Sequence, residues 1–358
     1  MEPVGIEHAL PEERHREAAT AAWANHGDSR AVVQVVELSA MVSTNRVYRL
    51  VLDDGSSVVA KTSNYGSFFL FAEDHDRLNR CNQLLAGSRY EQFLADAMTV
   101  DGRPDIWYDG EIWAILYREV PHGDQLPRVL TPGQVDNLAD EIADFHLECA
   151  EIAPSIPPTS KTVKSDAIHL LEMVSDRHAS QQFGLDASRL EVVHRHTHRF
   201  LMALYDEGYD YWQKIPVLID WNLGNFSIEF SGERFRLFSR WDYDWFRVES
   251  RVFDFYFLSR VSSRTGDRTR FTYGAHTLLE PRFRRFLRRY HERFPLAEAE
   301  VRFLGEAYRF FLLNYVVREG RHFFRYDIWR NLQSDVVDVH LPMLDQLDLT
   351  PLLRELGL

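Results

Sequence analysis

The chain has 358 residues, 45% hydrophobic and 13% aromatic, which is enough apolar surface for two packed lobes and far more than a disordered chain carries. Its formal net charge of -13 argues against a nucleic-acid-binding surface, because phosphate contacts need clustered Lys and Arg. Two cysteines, Cys81 and Cys149, lie in no CxxC or Cys/His spacing, which speaks against a disulfide framework or zinc and for a reducing cytoplasm. No run of about 18 apolar residues occurs, so neither an export signal nor a membrane span is expected.

In chain order, Pro11 to Asn25 reads as a short helix, with Pro11 and two glutamates at its start and Gly27 beyond its end. Three strands follow, Ala31 to Leu38, Arg46 to Leu52 and Ser56 to Lys61, the last two joined by the turn Asp53-Asp54-Gly55. Gly66 to Leu85 and Ser88 to Met98 are predicted helical. Strands Asp105 to Tyr108 and Glu111 to Val120 complete an antiparallel sheet. Beyond Pro121-His122-Gly123 the pattern turns to long helices: Thr131 to Ala150, Ser165 to Gln182, Asp186 to Gln213, Arg251 to Ser263, Thr272 to Phe294, Leu296 to Glu319 and Phe324 to Leu344. One hairpin, Phe226 to Phe230 and Arg234 to Phe238 around Ser231-Gly232, interrupts them. The pattern predicts an α+β fold of two lobes: a small antiparallel-sheet lobe over residues 1–120 and a larger helical lobe over 121–358. No internal repeat is visible.

The chemistry concentrates at the interruption. Phosphoryl transfer needs a carboxylate near the acceptor oxygen, oxygen ligands for magnesium and a cation on the non-transferred phosphates. Asp220 follows the apolar run Val217-Leu218-Ile219, Asn225 lies five residues on past Gly224, and Asp242 follows the next strand.

The run Leu218-Ile-Asp-Trp-Asn-Leu-Gly-Asn225 resembles the catalytic loop, HGDxxxxN, of the aminoglycoside phosphotransferase and choline kinase group, small-molecule kinases with a protein-kinase-like fold. Asp242 to Asp254 resembles that group's metal-binding stretch, with two aspartates twelve residues apart in both. The resemblance implies Asp220 as catalytic base, Asn225 and Asp242 as Mg2+ ligands, and Asp254 as a brace for the loop. It also implies Lys61, in Val58-Val-Ala-Lys61, as the lysine on the inner phosphates of ATP. Glu91 is the expected carboxylate partner of Lys61, with Glu73 competing. Backbone of Tyr117 to Glu119 would read the adenine edge, and Ser43 and Thr44 have the right place to bond a phosphate. Leu138 to His146 is similar to the helix that opens the second lobe. The resemblance spans about Val33 to Arg260 and implies an ATP- and magnesium-dependent kinase of a small-molecule hydroxyl. Three departures stand out: Leu218-Ile219 for His-Gly, Arg240-Trp241 for a small apolar pair, and Glu249-Ser250-Arg251 for Gly-Asp-Pro. The alternative they raise is a degenerate, nucleotide-binding protein.

Other features read as structural. His194 and His198 share a helix face without a third ligand, so they are solvated residues rather than a metal site. Arg282, Arg284, Arg285, Arg288 and Arg289 read as a salt-bridged helix face rather than a nucleic-acid patch. Trp221, Trp241 and Trp245 are expected to pack beneath the loop. Charge alone makes Asp206, Glu207 and Asp210 candidates for an amine-bearing acceptor.

Overall fold

The structure is a computed structural model that describes residues 10–39, 45–266 and 274–358. The chain divides into two compact units. The first holds the residues up to His122 with Phe238–Trp241 and His322–Phe324; the second holds Gly123–Leu237, Asp242–Arg321 and Arg325–Leu358.

The first unit opens with α1 (Glu12–His26), β1 (Val32–Glu37), β2 (Arg46–Leu52), β3 (Ser57–Ser63) and α2 (Phe68–Leu84). Two short pairs follow, β4 (Thr99–Val100) with β5 (Arg103–Pro104), then β6 (Ile106–Tyr108) and β7 (Trp113–Arg118). Five strands form an antiparallel sheet in the order β1-β2-β3-β7-β6. The β2–β3 turn works because Gly55 adopts a φ of 80° and its amide reaches the Leu52 carbonyl, a conformation that costs other residues a steric penalty. Strand alternation then sorts the side chains. Tyr48, Leu50, Leu52, Val58, Ala60, Ala114 and Leu116 are buried against Ala19, Ala22 and Trp23 of α1, while Val47, Arg49, Val51, Val59 and Lys61 point to the other face.

Ser88 to Met98 is not the expected helix. It runs as successive turns with Tyr90, Phe93 and Leu94 buried, and its end lies along β7, where Met98 N donates to Leu116 O at 2.8 Å and Arg118 N donates to Asp96 O at 2.9 Å. Satisfying the edge of a strand overrides local helix preference here.

In the second unit α3 (Pro132–Ile152) begins at a capping box, in which Thr131 accepts from Gln134 N and the Gln134 side chain accepts from Thr131 N, satisfying two donors left over at the helix start. Then come α4 (Val163–Ser175), α5 (Ala179–Phe183), α6 (Ala187–Asp206), β8 (Ile215–Val217), β9 (Phe226–Ser231) and β10 (Arg234–Arg240), whose last residues belong to the first unit. β11 (Arg247–Glu249) pairs with β8. The remaining helices are α7 (Phe255–Val261), α8 (Pro281–Arg293), α9 (Glu298–Arg302), α10 (Leu304–Phe311), α11 (Tyr326–Asp335), α12 (Leu341–Leu344) and α13 (Thr350–Leu356). Several long predicted helices are broken. Ser165 to Gln182 splits at Asp176, Asp186 to Gln213 stops before Gly208, which takes a φ of 62°, and Leu312–Arg318 continues α10 as a π-helix. The start of the Thr272 to Phe294 prediction lies outside the described residues.

The arginine-rich helix is the salt-bridged face the sequence suggested. Arg285, Arg289 and Arg293 of α8 pair in turn with Asp136, Asp140 and Asp144 of α3; both sets recur every four residues, so one helix face meets one helix face.

Candidate functional site

The strand before Asp220 ends at Val217, two residues earlier than the sequence suggested. Leu218 and Ile219 form a tight reversal instead, with Asp220 N donating to Leu218 O at 2.7 Å and Trp221 N to Ile219 O at 3.0 Å. Ile219 has a φ of 60°. A β-branched residue there is a genuine outlier, since its side chain crowds the backbone carbonyl. This is the position at which the resembling motif carries glycine.

A buried chain of hydrogen bonds holds the reversal. Ile219 N donates to Asp254 Oδ1 at 2.7 Å, Asp254 Oδ2 lies 2.8 Å from His146 Nε2, and His146 Nδ1 lies 2.8 Å from the Tyr290 hydroxyl. Asp254 and His146 are fully buried. Burial pushes the Tyr290 phenol up, so it keeps its proton and donates to His146 Nδ1; Nε2–H then donates to Asp254. The bracing position of Asp254 on the loop backbone is thus explicit. Below the loop, Trp221 is wholly buried, with ring centroids 6.0 Å from Phe145 and 5.7 Å from Phe226, the packing role expected of it. Trp245 packs on Tyr315 at 4.9 Å, and Trp241, in the first unit, on His122 at 5.0 Å.

Within the loop, Asn222 N donates to Asp220 Oδ1 at 3.1 Å and Asn225 N to Asn222 O at 2.9 Å. The Asn225 amide nitrogen is turned to Asp220 O at 3.5 Å, which leaves its oxygen on the opposite side. Asp242, half-buried after β10, accepts from Asp244 N through Oδ1 at 3.2 Å. Among the described residues no group of three or more His, Cys, Asp or Glu is placed to hold a metal ion, and His194 and His198 form no such site. One carboxylate and one amide oxygen fit magnesium, which keeps waters and phosphate oxygens as its other ligands.

In the first unit Lys61 is buried on β3, opposite Val47 and Ile115. His75 of α2 lies near enough that burial, together with the Lys61 charge, lowers its pKa to about 3. His75 Nδ1 is 2.7 Å from Phe71 O and Nε2 is buried without a hydrogen bond. The sequence reading missed His75, and only its place on the helix after the lysine strand could have marked it. Glu91, the expected partner of Lys61, is exposed on a turn and accepts from Gly87 N at 3.3 Å; the helix expected to carry it does not form. The helix that follows β3 carries Glu73, whose side chain is 9% exposed and 3.3 Å from Arg77. Arg118 N is taken by Asp96, so the edge expected to read adenine over Tyr117 to Glu119 is closed at its middle residue. Tyr117 is buried, and the Glu119 carboxylate pairs with Arg49 and the Ser57 hydroxyl. Ser43 and Thr44 lie outside the described residues. Asp206 and Asp210 are exposed at the end of α6, with Asp210 2.6 Å from Lys164.

No protein-family model matches the chain, and no curated protein matches it in sequence. Solved structures do. An amicoumacin kinase in complex with AMP-PNP and Ca2+ matches with a TM-score of 0.61 at 12% identity, over 96% of this chain and 100% of that one. A microcompartment-associated aminopropanol kinase gives 0.61 at 14%, over 91% and 96%. Wild-type aminoglycoside 2′-phosphotransferase-IIIa in its GDP complex gives 0.58 at 15%, over 93% and 99%. The fold is that of small-molecule kinases. It is protein-kinase-like and two-lobed, and it extends through the C-terminal helices that the sequence resemblance left unassigned.

Proposed function

We propose that this protein is a kinase that moves the γ-phosphate of a purine nucleoside triphosphate, ATP by resemblance, to a hydroxyl of a small molecule. The observation that carries the reading is the loop at Asp220, held in a left-handed reversal by buried Asp254, on a kinase-like fold. Asp220 orients the acceptor hydroxyl and takes its proton as the bond to phosphorus forms. Lys61 holds the inner phosphates, and Glu73 rather than Glu91 is the helix carboxylate suited to orient it. Asn225 and Asp242 hold magnesium, which when bound offsets the charge on the phosphates. The acceptor is a sugar, amino alcohol or aminoglycoside-like molecule, and no nucleic acid or membrane partner is invoked. Among the described residues no helix is long and apolar enough to cross a membrane, and Cys81 and Cys149 are buried and not bridged, which supports a cytoplasmic setting.

The test is ATP consumption by purified protein across a panel of hydroxyl-bearing small molecules, with and without magnesium. Asp220→Ala should abolish turnover and retain ATP binding; full turnover in that variant overturns the assignment. The Leu218-Ile219 departure favours a second reading, a nucleotide-binding protein without transfer activity. In that case ATP raises the melting temperature with magnesium, yet no acceptor yields product.

A further inference from the structure

The sheet face that carries Lys61 holds a charged pair with no part in the chemistry above. Arg49 of β2 lies opposite Val59 of β3 and shares that face with Lys61. Its Nη2 is 2.6 Å from Glu119 Oε1, and the other Glu119 oxygen bonds the Ser57 hydroxyl. Arg49 Nε is buried and makes no hydrogen bond, although 35% of the side chain is exposed. Around it Val47, Val51 and Val59 are half-buried, whereas their neighbours on the opposite face are buried under α1. The result is an apolar, accessible strip with one guanidinium set into it.

A partly exposed ion pair contributes little to stability. What Glu119 and Ser57 do is fix the guanidinium in position, and a planar guanidinium stacks well on a flat π-system. The guanidinium lies at the right reach from the lysine: Arg49 is level with Val59, two residues from Lys61 on β3, and its tip extends to Glu119 beside Ser57, four residues from Lys61, so the separation falls between about 7 and 13 Å at the rise of a strand, comparable to the span from inner phosphates to base in a nucleotide.

We propose that Arg49 stacks on the nucleotide base and that Glu119 is the positioning residue that holds it there. The inference rests on the kinase reading and adds a base contact made by a side chain. Stacking uses a π-face that every base offers, so Arg49 supports ATP and GTP alike.

The test is calorimetric titration of the full chain with three probes in the presence of magnesium: ATP, GTP and inorganic tripolyphosphate, which has no base. Arg49→Leu should weaken ATP and GTP binding roughly tenfold each and leave tripolyphosphate unchanged. Lys61→Met should weaken all three. Arg49→Lys, which keeps the charge and loses the plane, should lose nucleotide affinity as Arg49→Leu does and stands in for it if the leucine variant fails to fold. Unchanged ATP affinity in Arg49→Leu, or an equal loss for tripolyphosphate, overturns the assignment and leaves the kinase reading intact. If the unaltered protein binds none of the three, the kinase reading falls and the base contact with it.

Discussion

Replacing Ile219 tests whether the reversal before Asp220 is strained. Ile219 is 5% exposed and has a φ of 60°. Truncating a buried isoleucine to alanine costs about 2–5 kcal/mol in lost burial and cavity formation, and alanine would keep the left-handed penalty, about 1–2 kcal/mol for an L-residue. Glycine loses similar burial and adds about 0.5–1 kcal/mol of backbone entropy relative to alanine, but it removes the penalty. The two variants should therefore fall in the reverse of their usual order, with Ile219→Gly more stable than Ile219→Ala by about 1 kcal/mol. Urea denaturation followed by circular dichroism reads this as a higher midpoint for glycine, both variants lying below the unaltered protein. An alanine variant as stable as the glycine variant, or more so, would show that the reversal is not strained.

Two further outcomes follow from the buried groups. Asp254→Ala leaves the Ile219 amide and the His146 ring without their partner, for a loss of roughly 3–5 kcal/mol, whereas Asp254→Asn can still accept from Ile219 and should lose about 1–3; equal urea midpoints for the two would refute the brace. His75, with its folded pKa lowered to about 3, stays neutral while the unfolded chain takes up a proton near pH 6.5. Its contribution is therefore present above 6.5 and lost as pH falls toward 3, by up to about 1.4 kcal/mol per pH unit. His75→Phe should flatten the pH dependence of the urea midpoint between 6.5 and 4.5, and identical slopes would refute this.

Periodicity made the sheet lobe legible because β2 has one face buried in the core with α1, so Tyr48, Leu50 and Leu52 alternate with half-buried neighbours. It failed over Ser88 to Met98, whose conformation is set by the unsatisfied edge of β7, a partner that no local window contains. The long helices were seen as helices, but breaks at Asp176 and Gly208 were missed because apolar spacing resumes beyond each. At the site, the run from Asp220 to Asn225 and the separation of Asp242 from Asp254 carried the family resemblance, and the structure adds the bond from Ile219 N to Asp254 that the resemblance implied as a brace. The Glu91 expectation rested on the same helix over Ser88 to Met98, which does not form. His75 carries no motif, and its relevance comes only from the helix it occupies.

The Leu218-Ile219 pair also bears on what the surroundings of the loop hold in place. A strained backbone persists only where its surroundings over-determine it, and here they do so through Asp254, His146 and Tyr290 above and the buried Trp221 packing below. An isoleucine without such support would adopt an extended φ, as in a strand, which its branched side chain favours. The chain instead keeps the geometry that glycine would adopt without strain while lacking the glycine. The position of the backbone at Asp220 is thus the quantity being held, at the cost of the strain at Ile219.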